Sequence, residues 1–274
     1  MENHLSASML TKLGALFLAK GWSVDYDNDF STFNRYAATL SRLDEKQQDF
    51  LIDVSNRFVC IYQKEYMDRL LVPLSQIRNK YLNNQLIFAC CISKEDDGKI
   101  KSSASVLNQI RGTEIKTKIN LGNYFVISKQ SDLRKCGIKD DTKIVLVDDF
   151  VGTGESADEA INYVAELLPA LDLKKSIIIL CIAAMKTGVN HLKSEGYDVF
   201  YEKLYSRGIS DNYNSDDVVN AISLMNSIED KIVGLKPEFR FGYGRCEGLI
   251  SMERCPNNTF PIYWCQKGIA PYER

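Results

Sequence analysis

The chain has 274 residues, of which 45% are apolar and 26% charged, with a formal net charge of −2, enough apolar material for one large core or two smaller ones. Mixed charge of nearly balanced sign argues against a dedicated nucleic-acid surface, although Lys94, Lys99, Lys101, Arg111, Lys116 and Lys118 make a local basic excess. The eight cysteines are scattered, two of them adjacent as Cys90 and Cys91, which reads as free buried thiols and not as a disulfide framework.

Residues 1 to about 84 are expected to be helical. Leu10, Leu13, Leu16 and Phe17 share one face of a helix ending near Gly21. Between Ser41 and Leu74, helical spacing recurs at Phe50, Leu51, Val54, Phe58, Ile61 and Tyr62, then at Met67, Leu70 and Leu71, with Pro73 limiting the second helix. Leu13 to Ala19 has neither a basic leader nor the length of a membrane span, so a cytoplasmic chain is expected.

From Asn83 and Asn84 onward the pattern changes. A first strand is predicted over Gln85 to Ile92, followed by a polar loop and a helix carrying Val106, Leu107 and Ile110. Further strands are predicted at Tyr124 to Ile127, Ile144 to Val147, Ser176 to Ala184 and Asp198 to Leu204. A helix is predicted over Asp217 to Val233, then an irregular tail with short strands from Arg240 to Trp264. Alternating strands and helices give an α/β fold, a doubly wound and mostly parallel five-stranded sheet, with a division at 84/85 between the helical region and the sheet domain.

The segment Lys143 to Ser156, KIVLVDDFVGTGES, carries the chemistry. An apolar strand ends in two carboxylates, Asp148 and Asp149, at the edge where doubly wound sheets bind ligands. Gly152 and Gly154 allow a tight turn, and Thr153, Glu155 and Ser156 lie at the start of a helix whose Ala160, Ile161, Val164, Leu167 and Leu168 share a face. Free N–H groups and hydroxyls there suit a phosphate, while carboxylates suit neighbouring ribose hydroxyls or a developing positive charge. A nucleoside-triphosphate loop would need a lysine after its second glycine, and the dinucleotide fingerprint G-x-G-x-x-G is absent.

VLVDDFVGTGES resembles the phosphoribosyl-pyrophosphate motif of type I phosphoribosyltransferases: four apolar residues, two acids, a short spacer, then Thr-Gly-x-Ser/Thr. The resemblance implies that Asp148 and Asp149 hold the ribose 2- and 3-hydroxyls and stabilise an oxocarbenium-like ribose, that Gly152, Thr153, Gly154, Glu155 and Ser156 form the 5-phosphate site, and that Mg²⁺ accompanies the pyrophosphate. It also makes Ser93 to Ser103 the pyrophosphate loop, with Lys101, Ser102 and Ser103 nearest the following helix, and accounts for the basic excess. Asp96 and Asp97 are read as more exposed than metal-binding. Two departures stand out. The segment Lys129 to Thr142 is short where such enzymes carry a long mobile loop, and no base-selecting hood is recognisable.

The tail, with Gly242, Tyr243, Gly244, Pro256, Asn257, Asn258, Pro261 and Trp264, resembles phosphoribosyltransferase-like proteins of bacterial conflict systems, some associated with retrons and acting in antiphage defence. That resemblance implies partners such as a reverse transcriptase with its DNA and a further accessory protein, and homo-oligomers. Asn257 and Asn258 are candidates to read a base, with Trp264 or Tyr263 stacking; a folded turn with an aromatic core is the competing reading. Cys246, Cys255 and Cys265 lack metal-site spacing, and neither His4 nor His191 stands in a nucleophile motif, so no protein-held metal is assigned. Three activities stay open: an enzyme-like effector, a non-catalytic sensor or assembly module, and a nucleobase salvage enzyme.

Overall fold

A computed structural model describes residues 5–266 and 269–272. In chain order the helices and strands are α1 (Ala7–Lys20), α2 (Thr32–Leu40), α3 (Glu45–Ser55), β1 (Val59–Cys60), α4 (Tyr66–Lys80), β2 (Leu86–Cys90), α5 (Ser103–Arg111), α6 (Thr113–Lys118), β3 (Tyr124–Val126), β4 (Lys143–Val151), α7 (Glu155–Leu167), α8 (Leu173–Ser176), β5 (Ile177–Met185), α9 (Lys186–Ser194), β6 (Asp198–Tyr205), α10 (Ser215–Glu229) and β7 (Ile250–Ser251). They form two compact units, one of residues 61–205 and one that joins 1–60 to 206–274.

The unit 61–205 is the α/β layer. Its five strands run parallel in the order β3-β2-β4-β5-β6. Every residue of β2 and β5 is buried, as the apolar runs LIFAC and IIILCIAAM require of strands covered on both faces. One face, with Ile87, Ala89, Ile144, Leu146, Ile177 and Ile179, packs on α7 and α9 through Ala160, Ile161, Val164, Val189 and Leu192. Helices α4 and α5 pack against β2, β4, β5 and β6. After β2 the chain passes to β3 on one side and then to β4 on the other, so the switch point lies between β2 and β4. Cys90, the last residue of β2, pairs with Val147, and β4 continues four residues farther.

The other unit packs α1, α2, α3 and α10 with the tail around Leu13, Phe17, Tyr36, Leu51, Phe58, Met225, Phe260 and Tyr263. Its helices begin as their caps dictate: Ser6 Oγ accepts from Met9 N at 3.1 Å, and Asp44 with Gln47 forms a reciprocal capping box. Strand β1 pairs with β7, and Phe58 stacks on Tyr272 at 4.8 Å.

Five expectations differ from the structure, the first being the helical spacing through Phe58, Ile61 and Tyr62: α3 ends at Ser55, and Val59–Cys60 pair with β7 as a short strand. Pro73 lies inside α4 and does not end it, because Leu70, Leu74 and Ile77 are fully buried on either side and the proline removes one backbone bond only. Met9 takes the inward place in α1 while Leu10 is 42% exposed. The motif strand does not stop before the acids, since β5 pairs with it through Asp148, Phe150 and Val151. The compact units divide near 60 and 205 instead of at 84/85: α4 covers the sheet, and the tail shares a core with the first three helices. No helix among the described residues is long and apolar enough to cross a membrane.

Candidate functional site

Asp148 and Asp149 follow one another near the end of β4. Asp148 is partly buried and Asp149 only 5% exposed. Asp149 N donates to Asp148 Oδ1 at 2.9 Å, and the hydroxyl of Tyr66, from the first turn of α4, donates to Asp149 Oδ2 at 3.2 Å. Ser102, just ahead of α5, brings its single hydroxyl donor within reach of both acids. Burial, and then the charge of Asp149, push the Asp148 carboxyl well above the ordinary carboxylate range; burial also raises Asp149, against hydrogen bonds from Asp148, Ser102 and Tyr66. Adjacent carboxyls in a buried setting resist ionising together, so both take up a proton more readily than free carboxyls do.

The turn beyond β4 is shaped by two glycines. Gly154 precedes α7 at φ +96°, a conformation open to glycine and costly for other residues. Gly188, inside α9, has no Cβ because one would stand 2.4 Å from Gly152 O and 3.0 Å from Gly154 N. Helix α9 therefore backs the turn at backbone contact. Thr153 Oγ1 accepts from Glu155 N at 3.3 Å, while Glu155 and Ser156 are exposed in the first turn of α7. The expected phosphate group of Gly152, Thr153, Gly154, Glu155 and Ser156 is thus contiguous, at a helix start with free donors.

Loop 93–103 is ordered by its own acids. Asp96 pairs with Lys101 at 2.7 Å and Lys99 at 3.0 Å, and those lysines hold its carboxyl below the ordinary value. Asp97 accepts from Gln130 N at 2.9 Å, Ser131 N at 3.1 Å and the Tyr163 hydroxyl at 3.0 Å. Burial alone would raise Asp97; the bonds from Ser131, Tyr163 and Gln130 outweigh it and leave the carboxyl below its usual value. Asp97 is therefore a fastener between the loop and the chain after β3. Of the three residues expected to hold pyrophosphate, Lys101 is exposed, Ser102 reaches the acid pair, and Ser103 is buried against the Cys90 thiol.

Asn257, Asn258 and Trp264 belong to the other compact unit. Asn258 Nδ2 donates to Tyr243 O at 3.1 Å, Asn257 O accepts from Tyr243 N at 2.8 Å, and Trp264 Nε1 donates to Thr259 O at 2.8 Å. Gly242 lies so close to Asn258 O that a Cβ would meet it at 2.0 Å. These polar groups tie the tail together, which is the folded-turn reading of the motif.

Sequence reasoning missed Tyr66, Gly188 and the pair His191–Asp158. Tyr66 sat unremarked beside an apolar stripe. Gly188 gave only the weak signal of a glycine within a helix. His191 Nε2 lies 2.6 Å from Asp158 Oδ2, and its Cδ2 would stand 3.0 Å from a Cβ at Gly154, so it steadies the first turns of α7 against α9. His4 lies outside the described residues.

No group of three or more metal-ligating side chains occurs among the described residues. Two carboxylates flanked by hydroxyls are nonetheless the hard oxygen donors that suit a hydrated Mg²⁺ arriving with a phosphorylated ligand.

No curated protein matches the sequence. Among solved structures, an orotate phosphoribosyltransferase from Aeropyrum pernix aligns at 12% identity over 52% of this chain and 70% of its own, with a TM-score of 0.29. A hypoxanthine-guanine phosphoribosyltransferase from Schistosoma mansoni, solved with IMP, aligns at 15% over 54% and 66%, with a TM-score of 0.32. A phosphoribosyltransferase from Corynebacterium diphtheriae aligns at 12% over 71% and 96%, with a TM-score of 0.30. Superpositions of that quality carry no argument about the site, which rests on the topology and residues above. The family comparison is of another kind, for it spans residues 42–273 and so takes in the sheet, the acid pair, the turn and most of the tail: the chain belongs to the PRTase-CE family, within the phosphoribosyltransferase-like superfamily.

Proposed function

We propose that the chain binds phosphoribosyl pyrophosphate or a nucleotide at the acid pair and the adjoining turn, and works as an enzyme-like effector in bacterial antiphage defence of the retron type. The observation that carries the ligand reading is the adjacent pair Asp148–Asp149 at the end of β4, held by the Tyr66 hydroxyl and followed directly by the glycine turn and the start of α7. Two full charges beside a phosphate would repel it, and the upward push on both carboxyls lessens that repulsion in the free protein. When ribose hydroxyls donate to the acids, the ionised form is favoured and the proton leaves. Asp148 and Asp149 then face the positive charge that develops at C1 as its bond to pyrophosphate breaks, the electron pair leaving with pyrophosphate and an attacking nucleophile forming the new bond. Turn N–H groups, Thr153 and Ser156 grip the 5-phosphate, with Lys101 and Ser102 beside the pyrophosphate. Mg²⁺ would neutralise pyrophosphate charge. The defence role is supported by the sequence of the tail, and with it the reverse transcriptase, its DNA and an accessory protein as partners.

Calorimetry with phosphoribosyl pyrophosphate and Mg²⁺ tests the ligand reading. The wild type should bind and release a proton, seen as a dependence of the heat on buffer, whereas Asp148→Asn with Asp149→Asn should weaken binding without unfolding the chain. Equal affinity in both would end the proposal. Robust turnover of a common base by the purified chain, with unchanged nucleotide pools on overexpression and during phage infection, would replace the effector by a salvage enzyme. A sensor without turnover is favoured by one observation: Asp97 ties Gln130 and Ser131 to the pyrophosphate loop, in the segment where a mobile closing loop is expected.

A further inference from the structure

Strand β3 is an edge of the sheet, and its outer side is built differently from a bare edge. Leu86 N donates to Asn123 O and Ile127 N to Phe88 O, each at 3.0 Å. In a parallel ladder the alternate groups, those of Tyr124 and Val126, therefore point away from the sheet. A cavity of about 440 Å³ opens there, lined by this strand and by Arg111 and Lys116, a volume in the range of small-ligand sites. Neither cation has a carboxylate partner among the described residues; Arg111 donates to Ser128 Oγ at 3.0 Å. Tyr124, in the wall, keeps a buried hydroxyl without a hydrogen-bond partner. Arg111 also lines a second cavity of about 200 Å³ with Lys99, Ser128 and Lys129, beneath Gly98 to Ile100 of the pyrophosphate loop.

Unpaired cations next to free backbone donors and acceptors make a specific combination. The cations suit an anion of more than one charge. The outward N–H and C=O groups of Tyr124 and Val126 suit a flat, polar-edged group such as a nucleobase. We infer that the β3 edge is a second site, separate from the acid pair, for a nucleoside polyphosphate: the base on the strand's outer backbone, the phosphates on Lys116 and Arg111 and onward toward Lys129. Because Arg111 faces both cavities, a ligand that engages it at the edge alters the charge beneath the pyrophosphate loop. The site thereby regulates the first one. It stands without the acid-pair reading, except for this coupling.

ATP and inorganic triphosphate, titrated separately into the full chain, test the inference. In the Asp148→Asn, Asp149→Asn background ATP should still bind, and adding Arg111→Gln with Lys116→Gln should weaken it about tenfold or more, as loss of charge-assisted contacts does. Inorganic triphosphate should bind more weakly than ATP. Loss of ATP binding with the acid pair, or no response to the two edge substitutions, would overturn the second site. Equal affinity for ATP and triphosphate would overturn its nucleoside specificity. If phosphoribosyl pyrophosphate fails to bind the wild type, the acid-pair reading falls, while the ATP arms still judge the edge.

Discussion

Replacing Gly188 by alanine should damage ligand binding far more than folding. The new Cβ would stand 2.4 Å from Gly152 O, 2.9 Å from Val151 Cγ1 and 3.0 Å from Gly154 N, and real Cβ contacts essentially never fall below 3.0 Å, so the turn or α9 must retreat by about 0.6 Å. Overpacking of this kind costs about 1–3 kcal/mol, and alanine in a helix returns about 1 kcal/mol, leaving a net loss of roughly 0–2 kcal/mol in stability. The backbone that moves is the one proposed to hold the 5-phosphate. Losing one charged hydrogen bond there costs about 1.5–3 kcal/mol, or roughly 10- to 100-fold in affinity. Gly14→Ala supplies the control, since nothing lies within 4 Å of its Cβ in the middle of α1. That change should stabilise by about 1 kcal/mol and leave binding alone. Thermal unfolding and calorimetry with a nucleoside monophosphate and its parent nucleoside measure both effects. Wild-type affinity for the monophosphate in Gly188→Ala, or equal losses for nucleoside and monophosphate, would refute the reasoning.

Thr153→Ala should cost about 1–3 kcal/mol of binding to a nucleoside monophosphate and little to the nucleoside, measured by the same titrations; an equal loss for both would assign the hydroxyl to the turn. Tyr66→Phe removes a bond that favours ionised Asp149, so the pH above which phosphoribosyl pyrophosphate binds fully should move upward, and an unchanged pH profile would count against the tyrosine's role. Glu229 is buried and pushed up to about 7 by that burial, against the Phe241 N–H and then the Arg240 charge. The folded state thus binds the extra proton, and the contribution of Glu229 to stability is greatest below the ordinary glutamate value and falls as pH rises to about 7, by roughly 3 kcal/mol. Glu229→Gln should flatten that fall in unfolding titrations between pH 5 and 7; parallel curves for the two proteins would contradict it.

The centre of the sheet was legible because β2, β4 and β5 are buried almost throughout and so appear as apolar runs between turn residues. Asp148 to Ser156 was legible because strand, acids, glycine turn and helix follow one another in the chain, and the structure keeps them contiguous. What joins distant segments was not. Tyr66 reaches Asp149 across 83 positions, and Ser55 Oγ meets the Tyr263 hydroxyl at 2.9 Å across 208. Neither leaves a local pattern, which is why the tail was read with the sheet although it shares a core with the first helices. Asp97 misled for a related reason: in a polar loop its charge looks solvated, yet three donors from β3's successor segment and α7 converge on it. Pro73 shows packing overriding propensity.

The central claim is that Asp148, Asp149 and the turn from Gly152 to Ser156 form a site for a phosphorylated ribose. A crystal structure of the chain soaked with phosphoribosyl pyrophosphate and Mg²⁺ tests it most directly. The account predicts ribose hydroxyls within hydrogen-bond reach of both carboxylates and the 5-phosphate on the N–H groups at the start of α7. Ligand density elsewhere, with the acids still joined only to each other, Tyr66 and Ser102, would contradict it.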